Sequence, residues 1–101
     1  MVKCDEVTII AQATALPGRE AELRRTLREF TPLCIAMEGV VAFVFYENLV
    51  RPGQVVLCAA FTDRASLETF LGSPLFERLT NSVSPLVGGG EPNILRLMPI
   101  V

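Results

Sequence analysis

The chain has 101 residues, of which half are hydrophobic and a fifth are charged, with nine basic residues, eleven acidic residues and no histidine. A net charge of −2 argues against binding to nucleic acid or to acidic membranes, because both require a basic surface. The length predicts one domain over residues 1–101, and the high hydrophobic content predicts that some apolar surface lies at a subunit interface.

The cysteines and the apolar runs constrain the compartment. Cys4, Cys34 and Cys58 are widely separated, which matches neither a disulfide framework nor a metal knuckle. The longest apolar run, 39–46, has the length of a strand, and the chain starts without an apolar signal segment. We therefore expect a cytoplasmic protein without a membrane span. Cys34 and Cys58 are expected to be small buried hydrophobes.

The first predicted elements are a strand and a long amphipathic helix. Apolar residues alternate over 6–16, with Thr8 and Gln12 on one face of the strand, and Pro17-Gly18 ends it. The apolar period then becomes helical, and the predicted buried positions are Leu23, Leu27, Phe30, Cys34 and Met37. Because Pro32 interrupts this pattern, we expect a kink or a restart there, capped by Thr31.

Two strands, 40–47 and 54–61, follow and are apolar on both faces. In the first of them we expect Val41 to share a face with Phe43 and Phe45. Asp63 is expected to cap the next helix, and Ser73-Pro74 to start a further one. Residues 93–100 are expected to form the last strand.

The element order predicts an α+β fold, the ferredoxin-like βαββαβ arrangement with a four-stranded antiparallel sheet. Helices cover one face of such a sheet and leave the other face open. Exposing each large apolar side chain there costs about 1.5 to 3 kcal/mol. We therefore expect a homodimer in which the open sheet faces of two copies meet and form a dimeric α/β barrel.

Short motifs along the chain carry a family resemblance. They are Leu16-Pro17-Gly18-Arg19-Glu20, Glu38-Gly39, Phe45-Tyr46-Glu47-Asn48, Pro52-Gly53, Asp63, Leu67-Glu68 and Ser73-Pro74-Leu75-Phe76. In this order and spacing they resemble the antibiotic biosynthesis monooxygenase (ABM) family of small dimeric α+β-barrel proteins. The resemblance runs nearly from end to end and implies a cofactor-independent oxygenase, a haem-degrading protein or an isomerase of small molecules.

The chain departs from the family pattern where proton transfer would occur. The resemblance implies a tryptophan at Phe61 and histidines at Phe70 and Leu75, so the polar candidates are replaced by apolar residues. Haem is disfavoured, since no histidine ligand exists and Ala11 stands where the haem-degrading branch has asparagine. We predict no metal and no cofactor, and no nucleophile-base pair that needs histidine.

Few residues are left for catalysis and binding. Tyr46, the only tyrosine, and Arg96, the cation of the last strand, are the catalytic candidates. Tyr46 is alternatively a rim residue in water, and Arg96 alternatively pairs with Glu47 or Glu6 or lies exposed at the strand edge. The substrate-binding candidates are Thr8, Gln12, Asn48, Phe61, Phe70 and Leu75. Asn48 alternatively shapes a turn, and Thr8 and Gln12 alternatively meet a partner subunit.

Three functional readings follow. The first is a cofactor-independent monooxygenase-like protein for a phenolic, quinol or polyketide-type molecule, since an electron-rich substrate anion can react with dioxygen without a metal. The second is a non-catalytic module of the same fold that binds a small apolar or aromatic ligand. The third is a dimeric domain whose pocket is filled by side chains.

Overall fold

The computed structural model describes residues 6–88, 93–98 and 100; Cys4 lies outside them. The elements are β1 (Val7–Thr14), α1 (Glu20–Ile35), β2 (Val40–Glu47), β3 (Gln54–Phe61), α2 (Arg64–Leu71), α3 (Pro74–Val83) and β4 (Asn93–Leu97). The strands form one antiparallel sheet in the order β2-β3-β1-β4. The predicted ferredoxin-like α+β fold is confirmed, with the second helical segment divided into α2 and α3.

The sheet has two faces with different surroundings. The helix face carries Val7 and Ile9 of β1, Phe43 and Phe45 of β2, and Val55, Leu57, Ala59 and Phe61 of β3, and these side chains pack under the helices. The open face carries Thr8, Ile10 and Gln12 of β1, Val44 and Tyr46 of β2, Val56, Cys58 and Ala60 of β3, and Leu95 and Leu97 of β4. Alternation along the strands assigns each residue to its face.

A β-bulge corrects the start of β2. The register shifts between Val40 and Ala42, so Val40 pairs with Phe61 and packs against the core. Val41 was expected beside Phe43 but is 53% exposed. A bulge inserts one extra residue into the strand, which reverses the faces of the residues before it.

The long helix α1 is continuous, so the expected restart at Pro32 was wrong. Pro32 lies inside α1, three residues before its end at Ile35. Thr31 is not a cap, because its Oγ1 donates a hydrogen bond to the Leu27 carbonyl at 2.7 Å within the helix. A proline so close to the C-terminal end interrupts little of the helical hydrogen bonding, and the buried Leu23, Leu27, Phe30 and Cys34 hold the helix on the sheet.

The two short helices begin where the capping chemistry predicts. Asp63 accepts a hydrogen bond from the Ser66 amide at 2.8 Å, and Ser73 accepts one from the Phe76 amide at 3.2 Å. The hydrogen bond from the Ser66 amide lowers the pKa of Asp63, because it stabilises the carboxylate. These caps place Phe70 against Phe43, Phe61 and Phe76, with ring centroids 5.3–5.6 Å apart.

Gly39 links α1 to β2 in a conformation that side chains disfavour. Its φ is +85°, and a Cβ at this position would overlap the Ser66 side chain. The Gly39 carbonyl accepts a hydrogen bond from the Thr62 amide at 2.9 Å. The junction therefore seats the start of α2 directly on the turn before β2.

Candidate ligand-binding cleft

A cleft of about 370 Å³ opens between α1 and the edge of the sheet formed by β2 and β3. Helix α1 contributes Arg24, Leu27, Arg28 and Thr31, and the sheet contributes Phe43, Val44, Phe45, Glu47 and Val55. The helical residues are spaced by three and four positions, so they form one stripe that faces the strands. The cleft is therefore built by the packing of α1 on the sheet.

The inner part of the cleft is apolar and rigid. Leu27, Phe43 and Val55 belong to the buried core, and Phe45 packs against it. The Phe43 and Phe45 rings meet edge to face, with centroids 5.3 Å apart and planes at 82°. Phe43 is only 1% exposed, so Phe45, which packs against it, offers most of the aromatic surface that a ligand could contact.

A charged pair closes one side of the cleft. Arg24 donates two hydrogen bonds to the Glu47 carboxylate, from Nε to Oε1 at 3.0 Å and from Nη2 to Oε2 at 2.8 Å. The Gly53 amide also donates to Glu47 Oε2, at 3.2 Å. These donors, Arg24 first, lower the pKa of Glu47 from 4.5 to about 2, and the same pair raises the pKa of Arg24. The pair joins α1 to the β2–β3 hairpin in a bidentate geometry.

Arg28 is the second cation of the cleft. It follows Arg24 by one helical turn and is exposed. Within residues 6–88, 93–98 and 100, its guanidinium has no hydrogen bond or ion pair. Thr31 lies beside it, with its hydroxyl hydrogen used by the Leu27 carbonyl. Arg28 is therefore the guanidinium in this cleft that is available to a ligand.

Sequence reasoning missed Arg24, Arg28 and Glu47 as site residues, because a charged helix face ordinarily faces solvent. A signal existed in the spacing. Arg24 and Arg28 flank the core position Leu27 and are four residues apart, which places both at the border between the buried and exposed faces of α1.

Three of the predicted substrate-binding residues, Phe61, Phe70 and Leu75, lie in or against the core. Phe61 and Phe70 are fully buried and contact one another, and Leu75 is half-buried and packs against the same cluster. In one protomer their side chains fill the interior at the end of the sheet where β3 stops. Their role in substrate binding stays a prediction.

The remaining candidates are divided between the two faces of the sheet. Tyr46, Gln12 and Thr8 belong to the open face, and the register aligns Tyr46 with Gln12 through Val56. Arg96 pairs with Ile9, so it lies on the opposite face. Tyr46 and Arg96 are also three strands apart, about 14 Å at the usual spacing. One protomer does not bring them together, and their catalytic roles stay predictions.

Asn48 is occupied in the β2–β3 turn. Its Nδ2 donates to Gln54 Oε1 at 2.7 Å, and its Oδ1 accepts from the amides of Val50 and Arg51 at 2.9 and 3.3 Å. Both ends of the side-chain amide are thus used within the turn, which is the alternative role weighed for it.

The two described cysteines, Cys34 and Cys58, differ in burial. Burial raises the pKa of the Cys34 thiol to about 11, so it stays protonated, whereas Cys58 is half-buried on the open face.

Over residues 6–88, 93–98 and 100, no group of three or more cysteine, aspartate or glutamate side chains is placed to hold a metal ion. None of the helices in this same part of the chain has the length and apolar character to span a membrane.

Comparisons with known proteins agree on the fold. One similar solved structure is a protein from Mycobacterium tuberculosis, with 24% sequence identity and a TM-score of 0.86 over 95% of this chain and 96% of that one. A second is a protein from Pseudomonas aeruginosa, with 22% identity and a TM-score of 0.85 over 100% of this chain and 99% of that one. Another is a variant of SnoaB, a cofactor-independent oxygenase from Streptomyces nogalater, with 18% identity and a TM-score of 0.83 over 96% of this chain and 95% of that one. A search of functionally curated proteins finds no significant match.

The sequence itself identifies the family. The profile described as antibiotic biosynthesis monooxygenase matches residues 6–81, about three quarters of the 101-residue chain. The matched region contains β1, α1, β2, β3 and α2 and most of α3. The chain therefore belongs to the antibiotic biosynthesis monooxygenase family.

Proposed function

We propose that the protein is a cofactor-independent monooxygenase that oxidises a phenolic or quinol small molecule bound in the cleft between α1 and β2. The observation that carries this proposal is the family match over residues 6–81. The cleft adds support, because it combines an apolar lining that includes Phe45 with a guanidinium at Arg28. Ligand sites typically join such an apolar lining to a few polar groups.

The proposed reaction uses the substrate as the electron donor. A phenol with an activated methylene group loses a proton to solvent, and the resulting anion passes electrons to dioxygen. One oxygen atom enters the substrate and the other leaves as water, so that R₂CH₂ and O₂ become R₂C=O and H₂O. A quinol with a free ring C–H likewise reacts with O₂ to become a hydroxyquinone and H₂O. The protein's part is to favour the anion and to stabilise the charge that develops on oxygen.

The cleft residues supply those two effects. A cation near the phenol lowers the pKa of its hydroxyl because it stabilises the phenolate, which assigns this task to Arg28. Leu27, Phe43 and Phe45 exclude water from the bound ring and so strengthen the attraction between the anion and the guanidinium.

A homodimer is part of the proposal. The open face presents Val44, Leu95 and Leu97 at 40–49% exposure in one protomer. A second copy that packs its own open face there would remove these side chains from water. Tyr46, Gln12 and Thr8 would then lie in the space between the two sheets. A cytoplasmic location stays a prediction from the sequence.

Oxygen consumption tests the proposed reaction. Reduced naphthoquinols and anthrone-type phenols would be incubated with the protein in air and under nitrogen, with absorbance and an oxygen electrode as readouts. We expect uptake that scales with protein concentration and product formation only in air. A panel without protein-dependent oxygen uptake would contradict the proposed oxygenase activity.

Arg96→Ala tests the candidate of the last strand. If Arg96 assists turnover, the variant oxidises anionic substrates more slowly and keeps its dimeric mass. Equal rates for the variant and the wild type would remove Arg96 from the site.

A non-catalytic binding module is the second candidate function. It is favoured by the apolar residues Phe61, Phe70 and Leu75 at the positions where the family pattern has tryptophan and histidine, because such residues cannot transfer protons. Saturable ligand binding without oxygen uptake would select this reading over the first.

A further inference from the structure

We infer that the α1–β2 cleft selects aromatic molecules that carry a carboxylate, with Arg28 as the residue that binds this group. The inference names the ligand class of the proposed site and rests on the proposed function only in placing the ligand in this cleft. The charge balance, the shape and the size of the cleft support this ligand class.

The charge balance favours an anion. Arg24 and Arg28 contribute two positive charges to the lining, and Glu47 contributes one negative charge. The two hydrogen bonds from Arg24 consume both oxygens of Glu47, so that pair is internally neutral. One positive charge remains at Arg28, and a carboxylate on the ligand would balance it.

The hydrogen-bonding groups of the cleft point to the same residue. Thr31 uses its hydroxyl hydrogen on the Leu27 carbonyl, and Arg24 directs Nε and Nη2 at Glu47. The planar guanidinium of Arg28 presents several N–H donors in a geometry that matches two carboxylate oxygens. A neutral ligand would leave these donors to water, and a cationic ligand would be repelled.

The shape of the cleft fixes how such a ligand fits. Arg24, Leu27, Arg28 and Thr31 form the α1 wall, and Phe43 and Phe45 form the opposite wall with Val55. An aromatic ligand ring would therefore pack mainly against Phe45, with its carboxylate directed to the exposed Arg28. The Arg24–Glu47 pair borders the ring and offers no free carboxylate to a cation.

The volume limits the ligand to a small one. About 370 Å³ lies near the lower end of the range of roughly 300–1,000 Å³ that ligand pockets span. A ring system of one or two fused rings with one acidic substituent is the expected class. Aromatic acids with a hydroxyl group next to the carboxylate would bring both groups within reach of the Arg28 guanidinium, whose several N–H donors can serve both.

Matched ligands and matched variants test the inference. Calorimetry under nitrogen would compare 1-hydroxy-2-naphthoate with 1-naphthol, which differ by the carboxylate alone. We expect wild-type protein to bind the acid about tenfold or more tightly, as one charge-assisted contact predicts. Arg28→Gln should abolish this preference, because it should weaken binding of the acid far more than binding of naphthol. Arg25→Gln is the control, since Arg25 is an exposed neighbour on α1 outside the lining.

Glu47→Gln gives an independent test in the opposite direction. The substitution removes the negative charge that occupies Arg24, so the acid should bind several-fold more tightly while naphthol binding stays the same. Raising the salt concentration should weaken binding of the acid but not of naphthol, because salt screens exposed charges.

The outcomes separate this inference from the proposed reaction. Three results would overturn the inference. They are equal affinities for 1-hydroxy-2-naphthoate and 1-naphthol, no binding of the acid, or an equal loss of affinity for the acid in the Arg28→Gln and Arg25→Gln variants. Oxidation of neutral quinols without any preference for acids would also overturn it and would leave the oxygenase activity standing. Preferred binding of the acid without oxygen uptake would support the inference and contradict the proposed oxygenase activity.

Discussion

The two faces of the sheet are made from the same strands, yet among residues 6–88, 93–98 and 100 the helices cover only one of them. On the helix face, Ile9, Phe43 and Phe61 are buried under α1, α2 and α3. On the open face, neighbouring residues of the same strands, Val44 among them, keep substantial exposure. Consecutive apolar residues along the strands make both faces apolar, but the helices in the described part of the chain cover only one of them.

This difference separates stability from association. Side chains of the helix face contribute to the folding of one protomer, because their burial occurs within the chain. Side chains of the open face gain the same benefit only when a second molecule covers them. Substitutions on the two faces should therefore change different measurements.

The largest effect is expected at the centre of the helix-face core. Phe70 is 1% exposed and contacts three other phenylalanine rings. Phe70→Ala should lower the free energy of unfolding by about 3–5 kcal/mol, because it leaves a cavity. Urea unfolding followed by circular dichroism measures it. Leu49→Ala, at a position 97% exposed in the β2–β3 turn, is the control and should stay within about 0.5 kcal/mol of wild type.

The next effect concerns the open face. Leu95 is 49% exposed in one protomer and shares a row with Ile10, Cys58 and Val44. Leu95→Lys should raise the dissociation constant of the proposed dimer by about a hundredfold or more, because each copy would bury a charge in place of leucine.

Light scattering across a concentration series measures this change. Leu49→Lys is the matched control, since the same substitution at the exposed turn should leave the mass unchanged. A monomeric wild type at micromolar concentration would contradict the sheet-to-sheet dimer directly. A dimer that tolerates Leu95→Lys would place its interface elsewhere.

The smallest effect lies at the border of the helix face, where Arg24 and Glu47 join α1 to β2. The pKa of Glu47 is lowered from 4.5 to about 2, so the pair stabilises the folded protein above pH 4.5 and loses this contribution as pH falls toward 2. Urea midpoints measured between pH 6 and pH 2.5 should reveal an acid-dependent loss in wild type. The loss should be smaller in both Glu47→Gln and Arg24→Gln. Curves that run parallel for all three proteins would contradict the role of this pair.

Much of the fold was predictable from local patterns. Periodicity and capping chemistry predict the bounds of β2 and β3, the caps Asp63 and Ser73, and the buried α1 positions Leu23, Leu27, Phe30 and Cys34. Met37 was also expected on this buried stripe but is half-buried and lies beyond the end of α1 at Ile35. The errors occurred where local rules compete with packing. Pro32 is accommodated because α1 ends soon after it, and Val41 changes face because the pairing of β2 with β3 contains a bulge.

The candidate site was less predictable than the fold. A family pattern places Phe61, Phe70 and Leu75 at pocket positions, but large apolar side chains that meet one another close up as a core. The cleft residues Arg24 and Arg28 carry no motif. Their relation to Phe43 and Phe45 depends on the rotation of α1 about its own axis, which the packing against the sheet sets.

The sequence by itself determined the order of elements, the apolar faces of each element and the absence of histidine chemistry, since composition and spacing are local properties. Only the tertiary structure decided which side chains share a surface. The strand register separates Tyr46 from Arg96, and the packing of α1 places Arg28 in the same cleft as Phe45. Such contacts join residues far apart in the chain, and they form only when helix and sheet pack together.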